Sequence, residues 1–255
     1  RSYRMLSEKI DVIILAGGFG TRLKGIVPGL PKALSPVNGR PFLDYILDSL
    51  EKSGLVNNVI LAVGYMADQI IEKYTNRNEY NFKIIFSREE TLLGTGGAIK
   101  RALQYATKDD ILTMNGDSYV DICMKDAITF YREKNASMTI VVKKIGNPGR
   151  YGLIEFDNNY KITSYDEKTT NRMEGYINTG IYLFKNYIFN SIEENRTISL
   201  EKELLPFFIN NNTGVYSFVT HKKFIDIGIP ETYLIADKFF EDEDNYNHPI
   251  SHVSG

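Results

Sequence analysis

A single cysteine, Cys123, is the only thiol in this sequence. It excludes an internal disulfide and any metal site built from several cysteines, and its simplest role is that of a small buried hydrophobe. No apolar run approaches the ~18 residues that a membrane-spanning helix needs, so no membrane partner is expected. No signal peptide precedes Met5, which reads as an initiator with residues 1–4 ahead of it. A basic excess is missing too. The net charge of −2 leaves nothing to neutralise a nucleic-acid backbone. Internal repeats, low-complexity segments and obvious linkers are absent. The expectation is a cytoplasmic protein, 43% hydrophobic and 24% charged, an ordinary globular balance.

Two familiar phosphate loops are absent as well. Nothing matches G-x-x-x-x-G-K-[ST], and the G-x-G-x-x-G pattern that starts at Gly18 meets Leu23 where its third glycine belongs. What the chain has instead is LAGGFGTRLKGIVPGLPKAL, Leu15 to Leu34. The apolar run Val12–Leu15 reads as a buried strand, and a glycine-rich turn follows it. Gly17, Gly18 and Gly20 let a ligand's phosphates approach the backbone N–H groups closely, and Leu15, Ala16 and Thr21 beside them are further nucleotide-binding candidates. Arg22 and Lys32 add two cations. Such a loop suits a polyphosphate held at the carboxyl edge of a parallel sheet.

Along the chain, strands are predicted at Asn58–Val63, Phe82–Phe86 and Ile111–Met114. They alternate with helices at Phe42–Ser53, Met66–Tyr74, Gly97–Ala106 and Asp121–Asn135. Repeated βα units predict an α/β fold with a doubly wound, mostly parallel, Rossmann-like sheet. After residue 136 the pattern becomes short strands: Met138–Lys143, Tyr151–Phe156, Lys161–Asp166 and Gly180–Phe184, with a hairpin turn at Asn158-Asn159. A helix over Leu200–Asn210, closing strands at Val215–Val219 and Lys223–Ile227, and a helix over Pro230–Phe240 complete it. The expected organisation is one domain over 10–240, a nucleotide-binding half (10–135) and a mixed-strand half (136–240). Polar tails at 1–9 and 241–255 flank it.

Five further segments carry chemistry. Leu92-Leu93-Gly94-Thr95-Gly96-Gly97-Ala98 lets a flat ring lie against backbone, with Glu90 able to bond a base edge. Asn115-Gly116-Asp117 ends a buried strand, and Asp226 lies inside the apolar Phe224–Gly228. A buried Asp is costly unless paired or metal-bound, so two of them beside a polyphosphate loop suggest a divalent ion with oxygen ligands. Glu167-Lys168 and Asn178-Thr179 offer the acceptors, amide, hydroxyl and cation that a sugar phosphate needs. Solvated loops explain these last two pairs nearly as well.

The order of these segments resembles the sugar-1-phosphate nucleotidyltransferases from Ile10 to Phe240. The signature G-G-x-G-T-R-L followed by P-K-x-L is matched by Gly17–Leu23 and Pro31–Leu34. The Asn115–Tyr119 run, with Leu93–Ala98, looks most like the D-glycero-α-D-manno-heptose 1-phosphate guanylyltransferases. The mannose-1-phosphate guanylyltransferases and muramate-1-phosphate uridylyltransferases are close in pattern. One departure is Thr169, where the family often has Pro after the Glu-Lys pair.

The resemblance implies a GT-A-like fold, a nucleoside triphosphate and a sugar 1-phosphate as substrates, and Mg²⁺ on Asp117 and Asp226. It implies Arg22 on the leaving pyrophosphate and Lys32 on the α-phosphate. Glu90, Gly94 and Thr95 would serve the base, and Tyr151, Gly152, Glu167, Lys168, Asn178 and Thr179 the sugar phosphate. A homodimer is left open. Two other readings are a regulatory nucleotide-binding module and a glycosyltransferase. The retention of Arg22, Lys32, Asp117 and Asp226 together argues against the first. The lack of an Asp-x-Asp motif at Gly116-Asp117-Ser118-Tyr119 argues against the second.

Overall fold

The computed structural model describes residues 8–20, 23, 25–167 and 173–247. Strand β1 (Ile10–Leu15) is buried along almost its whole length, as a parallel strand covered on both faces must be. A short bridge follows, β2 (Pro36–Val37) with β3 (Arg40–Pro41). Helix α1 (Phe42–Ser53) turns Phe42, Leu43, Ile46, Leu47 and Leu50 inward. It ends on Gly54 in the left-handed conformation, φ 65°, which glycine adopts without strain. Then come β4 (Val56–Val63), α2 (Ala67–Tyr74), β5 (Lys83–Arg88), α3 (Gly94–Ala102), β6 (Asp110–Asn115), β7 (Ser118–Val120) and α4 (Met124–Glu133).

The second half supplies β8 (Met138–Gly146), β9 (Leu153–Phe156), β10 (Ile162–Asp166) and β11 (Glu174–Lys185). A π-helical turn at Leu200–Leu204 leads into α5 (Leu205–Asn210), followed by β12 (Val215–Thr220), β13 (Phe224–Asp226), α6 (Pro230–Tyr233) and α7 (Ala236–Asn247). One nine-stranded sheet runs through both halves in the order β10-β9-β11-β6-β1-β4-β5, with β8 on β11 and β12 on β8. The strands β6-β1-β4-β5 are parallel, and β11 lies antiparallel to β6. The fold is α/β with a largely parallel central sheet and added antiparallel strands, as expected.

Alternation along β1 builds the two cores. Val12 and Ile14 pack into one with α1, α2, α4 and α7, while Ile13 packs into the other with α3 and α5. Successive strand residues face opposite sides, so helices must cover both. The chain winds outward from β1 to β4 and β5, then returns through α3 to β6 on the other side of β1. This reversal opens a crevice at the carboxyl ends of β1 and β6, where Leu15 pairs with Asn115.

Several local expectations are corrected. Cys123 is exposed, at the cap of α4, not buried. Residues Ser118–Val120 form a strand, so α4 starts only at Met124. The Phe224–Asp226 strand closes on β7, outside the main sheet. The Leu200–Asn210 helix begins as a π-turn because Pro206 has no N–H to donate one turn back. The Pro230–Phe240 helix is broken at Leu234 and Ile235, and its second part continues to Asn247. Among the described residues no helix is long and apolar enough to cross a membrane.

Candidate active site

A cavity of about 370 Å³ occupies the crevice. Leu15, Ala16, Gly17 and Gly18 form one wall, and Gly94 and Thr95 another. A Cβ at Gly17 would sit 3.1 Å from the Gly64 nitrogen, a tight contact with backbone. Helix α3 starts at Gly94, earlier than its sequence suggested. Its Gly96 and Gly97 N–H groups donate to the Ile198 carbonyl at 3.0 and 3.2 Å. Those two donors are therefore spent inside the protein.

Glu89, not Glu90, reaches the cavity wall; Glu90 is exposed. Glu89 is 8% exposed. Its Oε2 accepts from the Leu93 N–H at 3.5 Å, and its Oε1 is buried without a hydrogen-bond partner. Burial pushes its carboxyl above the ordinary carboxylate range. The alternation of β5, with Ser87 buried and Arg88 exposed, carries past the end of the strand and turns Glu89 inward.

A second, more polar cavity of about 210 Å³ adjoins the first. Lys32, Asn115 and Asp117 border both. Lys32 Nζ lies 2.7 Å from Asp117 Oδ2. Asp226 faces the second cavity with Tyr151, Asn178 and Arg150. The β7–β13 pairing sets Asp226 opposite Ser118, and the Ile227 N–H donates to the Asp117 carbonyl at 2.9 Å. The two aspartates are thereby neighbours. Burial, and then the nearby Asp117 charge, hold the Asp226 carboxyl above its usual range.

Of the remaining sequence-assigned residues, Gly20 packs on Lys32 at φ 58°. Gly152 stands behind the wall, where its carbonyl accepts from the Asn178 N–H at 2.9 Å. Thr179 is buried at the second cavity and its hydroxyl donates to the Val141 carbonyl at 2.8 Å. Glu167 faces Lys202 at 3.8 Å, outside both cavities. Thr21, Arg22 and Lys168 lie outside the described residues.

Residues 11–243 match the family model described as "Nucleotidyl transferase". The chain belongs to the nucleotidyl transferase family. Among nucleotidyl transferases, it is 35% identical over 224 residues to D-glycero-alpha-D-manno-heptose 1-phosphate guanylyltransferase of Campylobacter jejuni, covering 88% of this chain and 97% of that one. It is 34% identical to mannose-1-phosphate guanyltransferase of Debaryomyces hansenii, spanning 87% of this chain and 62% of the longer relative. The crystal structure of HddC from Yersinia pseudotuberculosis complexed with GMP-PN superposes with a TM-score of 0.80 at 36% identity. It covers 91% of this chain and 99% of that one.

Arg150 and Glu201 of this nucleotidyl transferase, like Glu89, escaped the sequence reading, whereas Asn115 was singled out within the Asn115-Gly116-Asp117 segment. Asn115 borders both cavities. Arg150 has its Nη2 3.1 Å from Asp226 Oδ2. Glu201 lines the first cavity and accepts from the Thr95 hydroxyl at 2.6 Å. No local pattern marks Arg150 or Glu201, which only the packing of distant segments brings here.

Proposed function

We propose that the protein transfers a guanylyl group from GTP to a sugar 1-phosphate, D-glycero-α-D-manno-heptose 1-phosphate, releasing pyrophosphate. The observation that carries the base is Glu89, a lining residue of the first cavity whose buried carboxyl has an oxygen, Oε1, without a hydrogen-bond partner. Guanine presents an N1–H and an exocyclic N2–H on one edge, and a carboxylate accepts both. Adenine offers an acceptor at that ring nitrogen, and uracil a single N–H between carbonyls. The likeness to HddC with GMP-PN points the same way. The sugar rests on the heptose-named relative. Mannose 1-phosphate is the second reading, from the mannose-named one.

The nucleotide falls to the 10–135 half and the sugar phosphate to the 136–240 half, within one domain. An oxygen of the sugar phosphate attacks the α-phosphorus in line, and the bond to the β-phosphate breaks as the new one forms. No protein nucleophile is required, so catalysis is positioning and charge stabilisation. Lys32, bordering both cavities, stabilises charge on the α-phosphate. Arg22 takes the leaving pyrophosphate and Lys168 screens the incoming phosphate.

Asp117 and Asp226 fit a hard divalent ion such as Mg²⁺, which is commonly held by one or two carboxylates plus phosphates and water. Among the described residues no group of three or more His, Cys, Asp or Glu could hold a metal ion, so two carboxylates would need phosphate oxygens and water to complete the shell. Bound there, the ion supplies Lewis acidity and a template for the two phosphates. Neither a membrane nor a nucleic acid enters this reading, and the reaction is placed in the cytoplasm.

Pyrophosphate release with Mg²⁺ tests the proposal, crossing GTP, UTP, CTP, ATP and dTTP with heptose, mannose, glucose and N-acetylmuramate 1-phosphates. GTP with the manno-heptose phosphate is the expected pair. Turnover with another nucleotide and none with GTP would overturn the role of Glu89.

A further inference from the structure

The second cavity is edged by two cations and two carboxylates, already paired with each other. Lys32 holds Asp117 at 2.7 Å and Arg150 holds Asp226 at 3.1 Å. The Arg150 side chain is 31% exposed and that of Asp226 17%. Arg150 has contacts besides Asp226, although the Tyr151 hydroxyl among them also bonds Asp226. Its guanidinium lies over the Tyr151 ring, 4.6 Å from the centroid, and donates to the Tyr151 hydroxyl. That ring packs in turn against Phe224, with centroids 5.6 Å apart. Asp226 also has a second anchor, its Oδ1 accepting from the Gly228 N–H at 2.5 Å. Each partner of this ion pair thus has a contact that does not involve the other: the Tyr151 ring for Arg150 and the Gly228 N–H for Asp226.

Charge decides what the arrangement does. Two carboxylates and two cations sum to zero. Adding a divalent cation and a doubly charged phosphate monoester keeps the sum at zero, provided the carboxylates pass to the metal and the cations to the phosphate. Either ligand alone breaks an ion pair and leaves an unmatched charge in a half-buried site, which is costly. A guanidinium carries five N–H donors, and a planar fork suits phosphate oxygens.

We infer that Arg150 is an exchangeable counter-ion, holding Asp226 in the resting protein and passing to the phosphate of the sugar 1-phosphate when a divalent cation takes Asp226. The inference rests on the metal reading of Asp117 and Asp226. Metal and sugar phosphate should load together, because each releases the group the other needs.

The test is calorimetric titration of the full chain with mannose 1-phosphate in EDTA, where no metal acts. Asp226→Asn frees Arg150 and should tighten binding about fivefold or more, and the gain should vanish in Asp226→Asn with Arg150→Ala. A gain that survives in the double variant, or no gain, overturns the inference. In parallel, Mn²⁺ binding is followed by electron paramagnetic resonance. Arg150→Ala should bind Mn²⁺ about fivefold more tightly than the parent without phosphate, and should lose the tightening that mannose 1-phosphate produces in the parent. Weaker Mn²⁺ binding in Arg150→Ala overturns the exchange. If the parent binds no Mn²⁺ even with mannose 1-phosphate, the metal reading fails and the exchange with it. The EDTA titration would still decide separately whether Arg150 serves a phosphate. Matched circular dichroism and Tm values confirm that each variant is folded.

Discussion

Lys32 and Asp117 are 85 residues apart in the chain, yet their side chains meet at 2.7 Å on the boundary between the two cavities. One comes from the glycine-rich loop after β1 and the other from just past the end of β6. Lys32→Met should lower pyrophosphate release about 10²–10³-fold, the usual loss for one preorganised electrostatic contact. Circular dichroism should be unchanged, since both side chains retain access to water. Activity within tenfold of the parent would remove Lys32 from the chemistry.

Glu89 predicts a pH dependence. Its raised pKa means that protonation begins nearer neutrality than for an ordinary carboxyl. A protonated carboxyl cannot accept both guanine N–H groups, so GTP affinity should fall as pH drops through that raised range. Glu89→Gln should bind GTP more weakly by about 1.5–3 kcal/mol at neutral pH, with a flat profile. Titration of GTP across pH distinguishes Glu89→Gln from the parent.

The same shift has a stability consequence of opposite sense. A carboxyl whose folded pKa is raised favours the fold below its unfolded pKa, and that stability is lost as pH rises through the folded pKa. The ligand-free Glu89→Gln variant should therefore melt above the parent at neutral pH and level with it in acid. A lower Tm at neutral pH would show that the carboxylate has partners besides Leu93.

Gly94 sits at φ 71°, and a Cβ there would lie 2.7 Å from the Ile198 carbonyl oxygen. Gly94→Ala should cost at least about 2 kcal/mol, a Tm loss on the order of 4–8 °C. It should also raise KM for the nucleotide, since Gly94 lines the cavity. Calorimetry and initial rates check the two effects together.

Asp11 is fully buried at the amino end of β1, away from the site. Its carboxylate accepts from the Thr107 and Lys108 N–H groups at 2.5 and 2.9 Å and from Asn57 and Asn58. Asp11→Ala strands those donors, at about 1–3 kcal/mol each. Its Tm should drop while kcat at low temperature stays near that of the parent.

The parallel half of the sheet was legible because hydrophobic periodicity and glycine punctuation are local. Phe42–Ser53 was predicted with the boundaries it adopts, since its apolar spacing and terminal glycine act within one helix. Ser118–Val120 was not, because this short strand exists only through pairing with Phe224–Asp226. Cys123 reads as a core residue by type and is exposed at a cap, since position in the turn, not composition, decides its face.

The sequence by itself determined the family, the βα winding and the loop that carries Lys32, because a short motif encodes backbone shape directly. Tertiary structure alone decided which acidic residue turns inward at the first cavity, that Arg150 answers Asp226, and that Glu201 reaches Thr95. Those contacts join segments from dozens to more than a hundred residues apart, and the sheet order that brings them together is a property of the whole packed chain.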